Sequence, residues 1–530
     1  MEQSFYNNLG FYTNPFKTTN AYYEENLDKY FVYPPFFQSV LGTPSSPRSN
    51  IIFAPRGGGK SAQKIMIEKE SHKRDILCIS HDDFNNILDS GVKNVTLNDH
   101  LQVIIRKTII GILIAFNEKE GAQIDKSDKE ILYLLSKKYL SNLSRLELKE
   151  NISSIKNFST QVKEVWTGCS NFVNQIFNEL MKKKVDDWNG IDLNKISLKE
   201  TNFNNNKPKE ELRFLGQIAK KIGFESIYIL IDKIEEYPST NTPEKAYELI
   251  SELLENLVIL ETGNFAFKFF LWDKIEQLCI DNKIRFDRIL DYKLKWSKKR
   301  LKELLIKRIK YYSKGKHNSF EDIIDSQLKD KIKTTFEDNE LVNNIDDLLA
   351  IFAMNSPRNL IRICGTILNK QLDLNSNLST VSYISFVNGI EEISKKISRQ
   401  LMDSSMINQI MKVGKVSFTI PYISNKIFKI TTQGGGNKIK QWRDTGLVMK
   451  VPTKFRGKTN KPVYLYAINN LIFAKQLYKD LNIFEFFEEK VRVCSTCNEF
   501  LLREWDEKPE EPYVCHKCNS ELDSNRLKLF

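Results

Sequence analysis

The segment that decides the fold is an apolar run that breaks into glycines. It reads Asn50-Ile51-Ile52-Phe53-Ala54-Pro55-Arg56-Gly57-Gly58-Gly59-Lys60-Ser61. The β-branched and aromatic residues predict a buried strand, and the residues after Ser61 have helical periodicity to about His72. A strand, a glycine loop and a helix in this order fit the phosphate-binding pattern G-x-x-x-x-G-K-[ST], except that Ala54 holds the first glycine position.

This pattern predicts a bound nucleotide, because glycines let successive backbone N–H groups surround phosphate oxygens at a helix N-terminus. Lys60 would reach the β- and γ-phosphates, and the Ser61 hydroxyl would ligate Mg²⁺. We therefore expect ATP as the ligand. The predicted contact residues are Pro55, Arg56, Gly57, Gly58, Gly59, Lys60, Ser61 and Ala62. The alternative is a glycine-rich turn with an incidental lysine.

An acidic segment supplies the second part of such a site. Residues 227–231 form an apolar run, and Asp232-Lys233-Ile234-Glu235-Glu236 follows it directly. Ligands of open α/β sheets bind at the carboxyl ends of strands, so Asp232 is predicted to hold Mg²⁺. Glu236 is the preferred hydrolytic residue and Glu235 the second choice, while either one could simply begin a solvated helix.

Other apolar runs complete the predicted organisation. Residues 76–79, 265–271 and 292–294 are further strand candidates, and strands separated by helices indicate a parallel sheet covered on both faces. The predicted divisions are a docked N-terminal segment (1–48), a P-loop ATPase core (49–295) with a helical insertion at about 100–215, and a helical lid (296–404). A winged-helix-like domain (405–485) and a zinc ribbon (490–525) follow.

The chain resembles the AAA+ and STAND-type ATPases related to replication-origin initiators over about residues 10–400, excluding the insertion. The phosphate loop, the Asp-x-x-Glu-Glu segment and Asn355-Ser356-Pro357-Arg358-Asn359-Leu360 carry the resemblance. It implies a nucleotide-binding sheet, a helical lid and a γ-phosphate-sensing arginine, which by position is Arg358. Without the resemblance Arg358 would be read as a surface ion-pairing residue.

The same resemblance suggests an arginine finger acting in trans, with Arg285 or Arg288 in position for it. The alternative is that these arginines pair with Asp287 or Asp291. Two departures stand out. Lys233 follows the magnesium aspartate where initiators commonly have an acid, and the sensor after the fourth strand is not obvious, Asp273 being the candidate. The expected ATPase is therefore slow, or depends on DNA or on a partner subunit.

The charge of the chain is concentrated in one segment. The 530 residues include 79 Lys and Arg against 67 Asp and Glu, a net charge of +12, and residues 412–461 alone account for +11. Helix-like stretches at 421–430 and 437–443 and a predicted hairpin of 447–451 with 463–468 indicate a winged helix. The predicted DNA contacts are Lys438, Lys440, Arg443, Lys454, Arg456, Lys458 and Lys461. The alternative is a solvated lysine-rich face.

Four cysteines near the C-terminus have zinc-ligand spacing. Cys494 and Cys497 form one pair, Cys515 and Cys518 the other, and a closed set of four thiolates predicts a structural Zn²⁺. A disulfide or redox pair fits less well, because the C-x-x-C unit occurs twice. The remaining cysteines, Cys78, Cys169, Cys279 and Cys364, are expected to be core thiols.

Together these features predict a cytoplasmic ATP-dependent switch that engages DNA and works as a homo-oligomer or with a partner subunit. Genome defence and replication initiation both fit. We expect neither a secretory signal nor a membrane span, since the longest apolar run is far short of the roughly 20 residues required. The alternative is a STAND-like interaction protein, in which the winged helix and ribbon dock a protein and ATP drives oligomerisation.

Overall fold

The computed structural model of the protein describes residues 2–89, 91–118, 124–141, 143–155, 158, 207–337, 342–452, 464–494, 496–497, 499–504, 513–522 and 527–529. These residues form two compact units. The sheet unit comprises Ala21–Leu27 and Tyr33–Lys295, and the helical unit comprises Met1–Asn20, Asp28–Val32 and Trp296–Phe530. The N-terminal segment thus alternates between the two units along the chain.

The sheet unit is built on five parallel strands in the order β2-β3-β4-β1-β5. The strands are β1 (Asn50–Ala54), β2 (Ile76–His81), β3 (Ser226–Ile231), β4 (Phe265–Trp272) and β5 (Leu290–Lys293). Every residue of β1, β2 and β3 is buried, which explains their continuous apolar runs rather than an alternating pattern. The predicted parallel α/β sheet with its phosphate loop is therefore confirmed.

Helices cover this sheet. The insertion between β2 and β3 is helical where it is described, with Leu97–Glu118 as its longest helix. Helix Lys126–Leu140 is followed by a separate helix, because Ser144 and Glu147 form a capping box that starts Arg145–Ser153. Residues 159–206 of the predicted insertion lie outside the described residues. The helices among the described residues of the unit are Phe37–Leu41, Lys60–His72, Asn85–Leu88, Leu97–Glu118, Lys126–Leu140, Arg145–Ser153, Pro208–Lys221, Pro243–Glu255, Leu257–Leu260 and Glu276–Asp281.

The helical unit has its own apolar core, which joins the first residues of the chain to its C-terminal half. Phe5 and Tyr6 are buried there with Leu301, Ile363 and Phe386. Its helices up to residue 401 are Glu2–Asn8, Lys298–Tyr312, Ser326–Thr335, Ile345–Phe352, Pro357–Leu374 and Tyr383–Leu401, and Leu27–Tyr30 is a single turn at the unit boundary. The described residues between 296 and 400 therefore have the helical character that the sequence predicts.

The winged-helix topology predicted after residue 404 is present. Helix Ser404–Val413 precedes β6 (Ser417–Thr419), a π-helical segment Tyr422–Phe428, helix Thr432–Asp444, β7 (Val448–Val451) and β8 (Leu465–Ile468). The three strands form an antiparallel sheet in the order β6-β8-β7. Trp442 is fully buried and joins helix Thr432–Asp444 to the apolar core of the helical unit.

The C-terminal end carries short strands around the cysteines. After helices Leu471–Leu477 and Ile483–Lys490 come β9 (Val491–Cys494), β10 (Phe500–Leu502), β11 (Tyr513–Val514), β12 (Glu521–Leu522) and β13 (Leu527–Leu529). β9 lies between β10 and β13, and β11 pairs with β12. In the described part of the chain, none of the helices combines the length and apolar character that a bilayer crossing requires.

Candidate functional site

The phosphate loop has a backbone that requires its glycines. Gly57 and Gly59 have φ values of +77° and +96°, and Gly59 is the N-cap of the helix that begins at Lys60. A Cβ atom on Gly58 would lie 2.9 Å from the Pro55 carbonyl oxygen, which the Gly58 N–H itself approaches to 2.9 Å. The loop therefore presents its backbone at a helix N-terminus, the arrangement that binds phosphate.

Lys60 is buried at the start of this helix and is ion-paired. Its Nζ atom lies 2.7 Å from Glu235 Oε1, and both side chains are less than a tenth exposed. Glu236, the preferred hydrolytic residue of the sequence analysis, is exposed. The structure therefore brings Glu235, the second choice, against the phosphate-loop lysine.

Arg56 of the loop also contacts the backbone of the acidic segment. Its Nη2 atom donates to the carbonyl oxygens of Glu235 at 3.0 Å and Asn241 at 3.3 Å. Its guanidinium also lies 4.2 Å from the centre of the Trp272 ring at the end of β4. Arg56 thus fixes the backbone that carries Glu235 relative to the loop.

Ser61 and Asp232 lie together, as a magnesium site requires. The Ser61 hydroxyl donates to Asp232 Oδ2 at 2.8 Å, and Asp232 is 1% exposed. Burial raises the pKa of the Asp232 carboxyl, while Lys64 and Lys60 oppose that rise. A serine hydroxyl and a carboxylate are hard oxygen donors of the kind that Mg²⁺ prefers, so these residues fit the ion.

A polar cluster beside Asp232 was not anticipated from the sequence. Lys64 Nζ contacts Asp82 Oδ2 at 2.8 Å and the Tyr22 hydroxyl at 3.0 Å, and that hydroxyl lies 3.1 Å from Asp82 and 3.5 Å from Asp232. Burial opposes ionisation of Asp82, but Lys64 outweighs it and lowers the pKa of this carboxyl. Asp82 directly follows β2, so its position at the sheet edge was a usable signal. Tyr22 had none.

The other predicted residues of the ATPase lie on the surface. Arg285 donates to Asp287, one of its predicted alternatives, with distances of 2.8 and 2.6 Å, and Arg288 pairs with Glu261 at 2.5 Å. Asp273 begins the turn after β4. Arg358 is exposed in the first turn of helix Pro357–Leu374 in the helical unit.

The four C-terminal cysteines converge. Their sulfur atoms all lie within 4.8 Å of one another, and the Cys494–Cys518 and Cys497–Cys515 pairs are 3.6 Å apart. Tetrahedral zinc with Zn–S bonds of about 2.3 Å places its sulfurs about 3.8 Å apart. The cluster is therefore compatible with Zn²⁺. Cys78, Cys279 and Cys364 are buried, as predicted, and Cys169 lies outside the described residues.

The basic residues of the winged helix are described only in part. On helix Thr432–Asp444, Lys440 and Arg443 are exposed, whereas Lys438 donates to Gln409 Oε1 at 2.9 Å and lies 4.9 Å from the Phe428 ring centre. The predicted wing contacts Lys454, Arg456, Lys458 and Lys461 lie outside the described residues. The structure thus shows two exposed cations on the helix that a winged helix commonly presents to DNA.

Comparison with known proteins gives a structural likeness but no sequence match. No protein-family model matches the sequence, and no curated protein matches it. The structure of the Aeropyrum pernix Orc1 protein in complex with DNA is similar to this chain with a TM-score of 0.38 and 10% identity, over 88% of this chain and 97% of that one. The fold described above rests on the strand order and phosphate loop of this chain, and not on this likeness.

Proposed function

We propose that the protein is an AAA+-type molecular switch that binds and hydrolyses ATP and engages DNA. The observation that carries this proposal is the Ser61–Asp232 hydrogen bond of 2.8 Å beside the buried Lys60, at the carboxyl ends of β1 and β3. Central strands with these residues at their ends, in the order β2-β3-β4-β1-β5, bring a phosphate cradle and a metal-binding carboxylate together.

The residues of the site divide the work. The loop N–H groups and Lys60 would hold the phosphates, and Ser61 and Asp232 would hold Mg²⁺, which neutralises charge on the β- and γ-phosphate oxygens. Lys60 is paired with Glu235 at 2.7 Å, so an incoming phosphate would compete for the lysine. That exchange would release the Glu235 carboxylate to orient a water molecule, which makes Glu235 the stronger candidate than the exposed Glu236.

The proposed DNA surface is the winged helix with the four-cysteine cluster. Residues 412–461 hold twelve basic residues and one acidic residue, and Lys440 and Arg443 are exposed on its long helix. Duplex DNA is a dense polyanion, and basic residues contact its phosphates irrespective of sequence. Structural zinc in the cysteine cluster would hold the adjoining strands in place.

The deciding experiment measures ATP binding and turnover with and without duplex DNA. We expect wild-type protein to bind ATP, Lys60→Ala to lose binding, and Glu235→Gln to keep binding but lose turnover. Glu236→Gln is the matched control, and it should retain most of the turnover. Wild-type protein that does not bind ATP would exclude this function.

The same samples test the interaction-protein alternative. If ATP changes the oligomer size while Lys440→Glu with Arg443→Glu leaves affinity for DNA unchanged, the winged helix serves a protein partner instead.

A further inference from the structure

A cluster of three polar side chains adjoins the Ser61–Asp232 pair and has no role in the mechanism proposed above. It consists of Tyr22, Lys64 and Asp82, which come from the short 3₁₀ turn Ala21–Tyr23, the helix of the phosphate loop and the residue after β2. Lys64 is fully buried and Asp82 is 15% exposed. Buried charges are costly unless they are paired, so this arrangement has to offset its own desolvation.

The hydrogen-bond geometry defines what each member can donate. The three N–H bonds of Lys64 have three oxygen partners, which are Tyr22 at 3.0 Å, Asp82 at 2.8 Å and Glu68 at 3.2 Å. Tyr22 accepts from Lys64, so its single hydroxyl proton is directed toward the two carboxylates, at 3.1 Å from Asp82 and 3.5 Å from Asp232. Tyr22 therefore connects the Lys64–Asp82 pair to the metal-binding carboxylate.

The point of contact on Asp232 is specific. Ser61 donates to Oδ2 at 2.8 Å, and Tyr22 approaches the same Oδ2 atom. The Ser61 hydrogen bond, together with the Tyr22 hydroxyl whose single proton Asp232 shares with the nearer Asp82, restricts rotation of the carboxylate and so fixes the direction of Oδ1. Metal sites depend on such outer partners to orient their ligands.

We propose that Tyr22, oriented by Lys64 and Asp82, is a positioning residue that holds the Asp232 carboxylate ready for Mg²⁺. This inference rests on the proposed function and deepens it, because it concerns Mg²⁺ at the same site. In this role Tyr22 has no part in holding the nucleotide. It acts only through Asp232.

The test separates metal binding from nucleotide binding. Binding of a fluorescent ATP analogue is measured first in EDTA and then as Mg²⁺ is titrated, for wild type, Tyr22→Phe and Tyr23→Phe. Tyr23 is the matched control because it is the next residue and is 76% exposed. Mn²⁺ binding to the nucleotide-loaded protein, followed by electron paramagnetic resonance, gives a second readout that is independent of turnover.

We expect Tyr22→Phe to bind the analogue in EDTA within about twofold of wild type and to need about tenfold more Mg²⁺ or Mn²⁺, the size expected for a hydrogen bond to a charged group. Tyr23→Phe should match wild type in both. Asp82→Asn, which keeps an acceptor but removes the charge, should shift the metal dependence in the same direction.

Three results would overturn the proposal. One is a Tyr22→Phe protein with wild-type metal dependence, and a second is a Tyr22→Phe protein whose EDTA affinity and metal affinity fall together, which indicates a general packing role. The third, wild-type protein that binds no nucleotide at all, removes the proposed function as well and so differs from the first two.

Discussion

Positive charges are buried and paired in the proposed nucleotide site but exposed in the winged helix. Lys60 and Lys64 are buried and lie 2.7–2.8 Å from carboxylates, whereas Lys440 and Arg443 of the winged helix are exposed in a segment with a single acidic residue. A buried lysine must exchange one anion for another, which favours a specific ligand. Exposed cations bind a polyanion with little desolvation and respond to salt.

The largest expected effect comes from metal removal at the C-terminal cysteines. The apolar cluster at the cysteines includes only Leu501 besides them in the described residues, whereas Val491, Val493 and Leu502 belong to the core of the helical unit. The packing at the cysteines themselves should therefore depend on the ion, whose binding contributes on the order of 10 kcal/mol in small zinc domains. A strong chelator should release one Zn²⁺ per chain and expose four thiols to a thiol reagent. Affinity for the ATP analogue should stay unchanged. Loss of both together would show that the regions are not independent.

The second prediction concerns the buried Lys60–Glu235 ion pair of the proposed nucleotide site. Lys60→Met leaves Glu235 buried without its cation, which should lower the free energy of unfolding by about 3–5 kcal/mol. The double variant Lys60→Met, Glu235→Gln removes both charges and should recover most of that loss. Urea unfolding measures both variants. Equal stability of the single and double variants would contradict the pairing.

Much of the sheet unit could be predicted because its signals are local. The apolar run of β1, the glycines of the loop and Asp232 at the end of β3 each depend on neighbouring residues in the sequence. The side that Glu235 and Glu236 face could not be predicted. It depends on the backbone after β3, where Lys233 has φ +65° and turns the chain so that Glu235 is buried.

Contacts between residues far apart in the sequence could not be predicted either. Tyr22 lies 210 residues before Asp232, and a tyrosine in an aromatic-rich N-terminal segment has no pattern that distinguishes it from a packing residue. In the winged helix the topology was predictable from two short helix-like stretches followed by a hairpin pattern. The separation of helix Arg145–Ser153 from helix Lys126–Leu140 was not, because it depends on a capping box formed by Ser144 and Glu147.

Charge reversal on the winged helix should have the next largest effect. Each cation that binds a phosphate contributes about fivefold to DNA affinity near physiological salt, so Lys440→Glu with Arg443→Glu should weaken binding by at least about 25-fold and flatten the salt dependence. Lys438→Met is the control, because its ammonium already donates to Gln409 at 2.9 Å. Fluorescence anisotropy at several salt concentrations measures this. An effect of Lys438→Met as large as that of the double variant would contradict the assignment.

Two buried, neutral histidines of the sheet unit should make the stability of the folded protein depend on pH. His100 Nε2 donates to the Leu249 carbonyl at 2.8 Å, and His81 Nε2 therefore donates to His100 Nδ1 at 2.9 Å. His81 Nδ1 is buried and has no hydrogen-bond partner among the described residues, so a proton added there would be unpaired. Burial accordingly lowers the pKa of both imidazoles.

Because the unfolded chain binds protons at these histidines below about pH 6.5 and the folded chain does not, stability is full above that pH and falls below it. We expect a loss of up to about 1.4 kcal/mol per pH unit for each histidine. Unfolding in urea between pH 7.5 and 5.5 measures the slope. His81→Phe should reduce it, and His72→Gln, at an exposed position, should not. An unchanged slope in His81→Phe would exclude this origin.

The smallest effect on stability is expected at the exposed arginine Arg288, in contrast to the buried Lys60. The Arg288–Glu261 pair has both side chains more than 40% exposed, and such surface pairs contribute about 0–1 kcal/mol. Arg288→Ala should therefore leave thermal unfolding within a degree or two of wild type.

ATP turnover, rather than stability, tests whether Arg288 is an arginine finger. A finger acting on a neighbouring copy stabilises charge in the transition state, so its loss should lower turnover and remove any dependence of turnover on protein concentration. Glu261→Gln is the matched control, because it breaks the same pair but keeps the arginine. Equal turnover in Arg288→Ala, Glu261→Gln and wild type would leave Arg288 as a surface ion pair and no more.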